Sequence, residues 1–402
     1  MDFTPSEEQA AAQGLAARIF GDLSTHDRLV AAGSGTDAGL WKEICAAGLP
    51  GAAEETGLLG LVLLAEEQGR TTAQVPFVAS CVYGLLAVAE HGTDEQRERL
   101  LPSFRDGTEV AAGAFPAGGT VHAEVDTGPE ADRGLHAEAD RVPDADGGLH
   151  AQAGRGPEAD GCLHAEADRG PAAEAGRGPA AEEGGRLSGV VPLVPWLRDA
   201  THVLVAAADR SLWFVRTAGP GVVTESVETT APWSAGRLVL DGAPGERLGG
   251  SGAYEAVLAG ARTAFAGVQA GVCAGSLARA VEHTGTREQF GRPLSTNQAV
   301  LLRAADAYMD TEAIRVTAYE AAWRHDEGLP YVEQALTSAW WASEAGRRVV
   351  HAGQHLHGGT GADLDHPVHR HFLWGRQLDA HLGGSGTVLQ ELGELLVKEG
   401  PE

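Results

Sequence analysis

The chain has 402 residues, 30 basic and 56 acidic side chains, a net charge of −26 and four cysteines. Its length exceeds one compact core and predicts two or three domains, and so negative a chain repels phosphate backbones and anionic bilayers, which argues against nucleic-acid and membrane-surface binding. Cys45, Cys81, Cys162 and Cys273 stand far apart without CxxC or Cys/His ligand spacing, which argues against a metal centre and a disulfide scaffold.

The opening MDFTPSEEQA carries acid where a secretory signal needs base, and apolar runs such as 57–65 are too short to span a bilayer. A soluble cytoplasmic protein is therefore expected. Residues 1–113 read as a helical domain. SEEQ at 6–9 is a capping box with Ser6 as N-cap, LWKEICAAGLPG at 40–51 is an amphipathic helix ending at glycine, and 57–70 and 76–91 read as buried helices. The stretch 94–107 predicts a helix stopped by Pro102.

A repeat follows. His122, His136, His150 and His164 recur every 14 residues in near-copies such as LHAEADRVPDADGG and LHAEADRGPAAEAG, which occupy 121–176. Residues 117–185 hold 15 acidic residues against 5 arginines and almost no large apolar side chains. Such a segment buries too little surface to offset an ordering cost of roughly 1–2 kcal/mol per residue, so it reads as disordered or loosely hairpinned. The regular histidines offer a metal-binding array as an alternative, but duplication of one unit produces the same spacing without any function.

Over 187–245 the period shortens. THVLVAAAD, SLWFVRTA, GVVTESVET and GRLVLDG are short, β-branched or alternating, and separated by Gly, Pro and Asp. They predict a small antiparallel β domain within 114–250. From 251 to 402 the helical pattern returns. Tyr254, Val257, Leu258, Ala261, Phe265, Val268 and Val272 mark one face of a helix of about thirty residues, whose Ala- and Gly-rich other faces admit close neighbours. Three more helices are expected near 294–325, 330–354 and 377–398.

Several strings, in order and spacing, resemble the acyl-CoA dehydrogenase family: MDFTPSEEQ, LWKEICAAGLPG, the EEQGR–VPF stretch at 66–77, REQFGRPLSTNQAV at 287–300 and HLHGGTGADLDHPVHRHF at 355–372. The resemblance covers roughly 1–115 and 186–400. It implies an α+β multidomain fold with an N-terminal helical domain, a central antiparallel β domain and a C-terminal four-helix bundle that oligomerises. It also implies an FAD-dependent oxidoreductase acting on an acyl-CoA thioester, with electron-transfer flavoprotein as electron acceptor.

An FAD pyrophosphate is anionic, and an acidic protein must meet it with local arginines and backbone N–H groups. Arg287 is the candidate; on residue types alone it could equally pair with Glu282 or Glu288 on a solvated face. The resemblance implies that Arg287 reaches the FAD of a neighbouring subunit, with Gln289, Phe290, Gln298 and Ser385 also at cofactor-contacting positions. In HGGTG at 357–361, Gly358 and Gly359 permit close backbone approach, and the resemblance sets this turn against the same cofactor. His355 stands where the family usually has glutamine.

The family's reaction needs a carboxylate to take the proton α to the thioester carbonyl. Counting along the resembling strings, one usual base position falls on Leu382, in HLGGSG, and the other on Ala261, just before Arg262. Neither can accept a proton. Asp379 and His381 are the nearby substitutes, though Asp379 lies about one helical turn, roughly 5 Å, from position 382. The family's Thr-Glu-Pro-type turn is replaced by AAGAFPAGG at 111–119. The primary expectation is the subunit of a heteromeric acyl-CoA dehydrogenase that lacks the base, within a homo- or hetero-tetramer. The alternatives are an autonomous enzyme with a displaced base and a flavin-free structural subunit.

Overall fold

The computed structural model describes residues 3–115, 120–125 and 184–399. The later repeat copies, with His136, His150, His164 and Cys162, lie outside the described residues. Cys45, Cys81 and Cys273 are free thiols.

The N-terminal helical domain runs α1 (Glu7–Leu23), α2 (His26–Ala32), α3 (Ala38–Ala46), α4 (Leu49–Glu55), α5 (Gly57–Thr71), α6 (Phe77–Ser80), a π-helical stretch Cys81–Leu86, α7 (Ala87–His91) and α8 (Asp94–Arg105). The Ser6 hydroxyl accepts the Gln9 N–H at 3.2 Å while the Gln9 side chain accepts the Ser6 N–H at 2.9 Å, the reciprocal cap read from SEEQ. α8 does not stop at Pro102 but runs through it to Arg105. Proline forfeits one backbone bond near the helix end, whereas Leu101 and Phe104 on either side of it are buried.

The central sheet comprises β1 (Ala111–Ala114), β2 (Val121–Val125), β3 (Gly184–Val194), β4 (His202–Ala206), β5 (Leu212–Arg216), β6 (Val222–Ser226) and β7 (Gly236–Leu248), in the order β1-β4-β5-β7-β3-β2, with β6 also on β7. It is mixed rather than purely antiparallel, because β1 runs parallel to β4 from Ala111↔His202 to Ala114↔Val205. The chain leaving α8 enters at the open edge of β4, where the Thr201 hydroxyl accepts the Val110 N–H at 3.0 Å. The first repeat copy supplies β2, paired with β3 from Val121↔Gly189 to Val125↔Gly185. Gly189, with φ +150°, is required there: a Cβ would lie 2.2 Å from the Thr120 carbonyl oxygen.

The C-terminal helical domain contains α9 (Ala253–Thr286), a short ladder of β8 (Glu288–Gln289) and β9 (Arg292–Pro293), α10 (Gln298–Asp326), α11 (Val332–His357), a 3-10 turn Gly358–Ala362, α12 (Pro367–His381) and α13 (Ser385–Glu399). The single helix expected near 377–398 is two, broken where Gly383 and Gly384 take φ of +101° and +73°. α9 is long and apolar enough to cross a membrane by length and composition, unlike the shorter run at 57–65, but its most apolar window is 78% buried inside the protein. It is the core helix. Its glycines let α5 approach closely: a Cβ on Gly271 would lie 2.0 Å from the Glu66 carbonyl oxygen.

Polar contacts of Glu66 and Asp326 are among those that join the helical domains. Glu66 of α5, 1% exposed, meets Arg315 of α10 at 3.1 Å and accepts a hydrogen bond from Tyr319. Asp326, at the end of α10, caps α5 by accepting the Leu58 and Leu59 N–H groups at 2.8 and 2.9 Å.

Candidate functional site

A cavity of about 930 Å³ opens where the sheet meets the C-terminal helices. Gly113, Phe115, Leu193 and Pro195 form the sheet side, and Tyr83 enters from the π-helical stretch. The first turns of α9 contribute Tyr254, Leu258, Ala261, Arg262 and Phe265. The end of α12, its junction to α13 and α13 itself contribute His381, Leu382, Glu391 and Lys398.

The two positions where a base was sought therefore share one cavity, although 121 residues separate them in the sequence. Ala261 and Leu382 are each 3% exposed and offer only carbon. Two of the three carboxylates on the described wall are ion-paired, and the third, Glu394, is exposed. Glu255 pairs with Arg210 at 3.1 Å, Glu391 with Arg262 at 2.7 Å, and Glu394 accepts from Gln390 at 2.9 Å.

Asp379 is not on this wall. It accepts from the Ser343 hydroxyl on α11 and pairs with Arg376 at 3.2 Å. His381 is on the wall, edge-on to Phe265 at 4.4 Å and to Trp233 at 6.1 Å. Burial among these rings lowers its pKa to about 4, so it is uncharged at neutral pH and a poor proton acceptor.

The expected cofactor residues lie elsewhere; none of the eight lines the cavity. Arg287 caps α9, exposed and without an ion pair among the described residues. Gln289 sits on the adjoining ladder and Phe290 in the turn between its strands, fully exposed with φ +54°. Gln298 opens α10 and is exposed. His355, Gly358 and Gly359 are exposed at the end of α11, with open space where a Cβ on either glycine would point. His283, four residues before Arg287, stacks on His357 at 4.7 Å and ties the end of α9 to this turn. Ser385 starts α13 and hydrogen-bonds Glu344 instead. Between Arg262 and Arg287, α9 rises roughly 37 Å at 1.5 Å per residue, so the outward residues and the cavity are separate sites on this chain.

Sequence reasoning did not single out Tyr83, Arg210 or Glu391 for the cavity. They come from three distant segments, and no short motif joins them.

Across 434 aligned residues, 99% of each chain, the sequence is 33% identical to the acyl-CoA dehydrogenase FadE27 of Mycobacterium tuberculosis. The chain belongs to the acyl-CoA dehydrogenase family. Residues 6–108 match the profile of the acyl-CoA dehydrogenase N-terminal domain and 249–392 that of the C-terminal domain. Among solved structures, a variant of the Tcur3481-Tcur3483 steroid ACAD superposes with a TM-score of 0.78 at 38% identity over 98% of each chain. The ChsE4-ChsE5 complex of Mycobacterium tuberculosis gives 0.80 at 28% identity over 100% of each. Butyryl-CoA dehydrogenase of Megasphaera elsdenii, at 20% identity and 0.75, covers 99% of this chain and 100% of its own and shares the fold. Acyl-CoA dehydrogenases are flavoprotein oxidoreductases that act on CH–CH bonds, and FAD-dependent dehydrogenation fits this chain's family.

The outward residues suit FAD chemically. Arg287 offers an uncommitted guanidinium for an anionic pyrophosphate, Gly358 and Gly359 offer uncovered backbone, and Phe290 offers an unburied ring.

Proposed function

We propose that this chain is the subunit of a heteromeric acyl-CoA dehydrogenase that lacks the catalytic carboxylate. The carrying observation is that Ala261 and Leu382, the two positions where the family's base was expected, face one cavity and offer only carbon to it. Arg287, Gln289, Phe290 and Gln298, with His355, Gly358 and Gly359, complete the FAD site of a partner subunit; Ser385 stands apart from that group. Held there, FAD would supply the hydride acceptor for α,β-dehydrogenation of an acyl-CoA, with the base supplied by the partner subunit. This chain's own contribution is to neutralise pyrophosphate charge through Arg287 and to present the turn at 358–361.

The steroid ACAD and the ChsE4-ChsE5 complex, each named for two components, support a paired assembly and a bulky acyl group on the substrate. Electron-transfer flavoprotein is the electron acceptor, and the complex works in the cytoplasm.

The test is to purify the chain alone and together with a co-expressed acyl-CoA dehydrogenase subunit that carries the catalytic glutamate, recording flavin absorbance and acyl-CoA-dependent dye reduction. Flavin and activity are expected only in the pair. A yellow, active isolated chain would mean an autonomous enzyme, and flavin absent from both preparations would mean a structural subunit.

A further inference from the structure

We propose that this chain's own cavity is a binding site without turnover, taking an uncharged, bulky apolar molecule whose oxygen function hydrogen-bonds to Tyr83 or His381. The inference rests on the reading that no proton is abstracted here, and it adds a ligand class and the groups that recognise it.

Charge comes first. Arg210 with Glu255 and Arg262 with Glu391 cancel in pairs, and the remaining charges on the wall, Glu394 and Lys398, are one of each sign, one turn apart on α13. A wall with no net charge gives no overall preference for an ion of either sign, although the chain as a whole is strongly acidic. Where the family sets a carboxylate, Ala261 and Leu382 add apolar surface, continuous with Phe115, Leu258 and Leu336. The volume of about 930 Å³ lies within the range of pockets that enclose a small ligand.

Two polar groups on this wall are uncommitted. Neither the Tyr83 hydroxyl nor the His381 imidazole has a hydrogen-bond partner among the described residues, and both rings pack on Phe265, at 6.4 and 4.4 Å. Tyr83 is 5% exposed. Neither group is sealed off from the cavity, since neither is among the fully buried side-chain atoms without a partner and His381 is half-buried, so both lie where an enclosed ligand oxygen can meet them. A neutral imidazole and a phenol each donate and accept, so a hydroxyl or a carbonyl serves equally.

Nile red, an uncharged apolar dye with one carbonyl, is the probe. Titrated into the full chain, it should give saturable blue-shifted emission at one dye per chain. Whichever of Tyr83→Phe and His381→Phe removes the partner of the dye's carbonyl should weaken binding about fivefold, one net hydrogen bond, and His381→Asn should bind no more weakly than His381→Phe. Ala261→Trp should abolish binding by filling the cavity, whereas Met309→Glu, on the exposed apolar face of α10, should leave it unchanged. Binding that survives Ala261→Trp, or that vanishes in Met309→Glu, would overturn the assignment. If Ala261→Trp fails to fold by circular dichroism, Tyr83→Phe and His381→Phe decide together, and unchanged affinity in both refutes recognition through these groups. Dye reduction by the isolated chain is scored separately. It would sink the heteromeric reading and the absence of turnover, while the titration still reports whether the cavity takes a neutral ligand.

Discussion

His325 makes the stability of this protein depend on alkaline pH. Its Nε2 lies 3.1 Å from Glu90 of α7 and its Nδ1 3.0 Å from Asp326, the residue that caps α5. Burial alone would lower its pKa, but the hydrogen bonds to Asp326 and Glu90, with the charges of both, raise it from 6.5 to about 9. His91, the cationic group that opposes it when protonated, is itself held below its ordinary value, mainly by burial. Tyr331 closes the site with its ring 5.0 Å away. Because the folded pKa is the higher one, the stabilisation is fully present below pH 6.5 and lost as pH rises through 9. Linkage with these two values gives about 3 kcal/mol at pH 6, about 2 kcal/mol at pH 7.5 and about 0.2 kcal/mol at pH 9.5. The side chain is 20% exposed, so screening by solvent removes little of this. The assay is urea unfolding of wild type and His325→Gln at those three pH values; glutamine keeps hydrogen-bonding capacity but cannot titrate. Wild type should lose about 3 kcal/mol of its advantage between about pH 6 and about pH 9.5. A constant difference between the two proteins would refute the reasoning.

Arg315→Ala leaves the Glu66 carboxyl buried without its guanidinium, and should cost about 3–5 kcal/mol by urea unfolding. Burial already holds the Glu66 pKa above its usual range, so the folded state binds the extra proton and the deficit should grow as pH rises through the carboxylate range; a deficit that shrinks would contradict the assignment. The repeat gives a prediction of phase. Deleting 121–162 removes three 14-residue units and brings 163–167, LHAEA, into the place of β2, with Leu163 standing for the buried Val121. Soluble yield and circular dichroism should be unchanged, and aggregation would rule out interchangeable units.

The sequence revealed elements whose signals are local. The cap at Ser6, the turn at Gly358 and the long helix of α9 follow from residue types a few positions apart, and the family strings carried the three-layer order of helices, sheet and helices. Features decided by distant partners were not legible. β1 runs parallel to β4 because of where α8 delivers the chain, and Pro102 sits inside a helix because Leu101 and Phe104 anchor it. At the site, counting along motifs found Ala261 and Leu382, which the fold brings to one wall. The same counting could not tell that Asp379 turns toward Ser343 and Arg376 while His381 turns inward. Tyr83 and Glu391 carry no sequence signal, since each matters only through a wall assembled from segments far apart in the chain.

α9 acts as a rod with two employers. Its first turns answer to this chain's own cavity, and its last turn, on the proposed assembly, to a catalytic centre in another molecule. On that proposal a substitution at Ala261 is felt in one place and a substitution at Arg287 in the other, so the two ends are free to vary independently. Once two such chains are paired, a gene can lose chemistry at one end of the rod while remaining indispensable at the other, and the vacated end is free to acquire a different ligand.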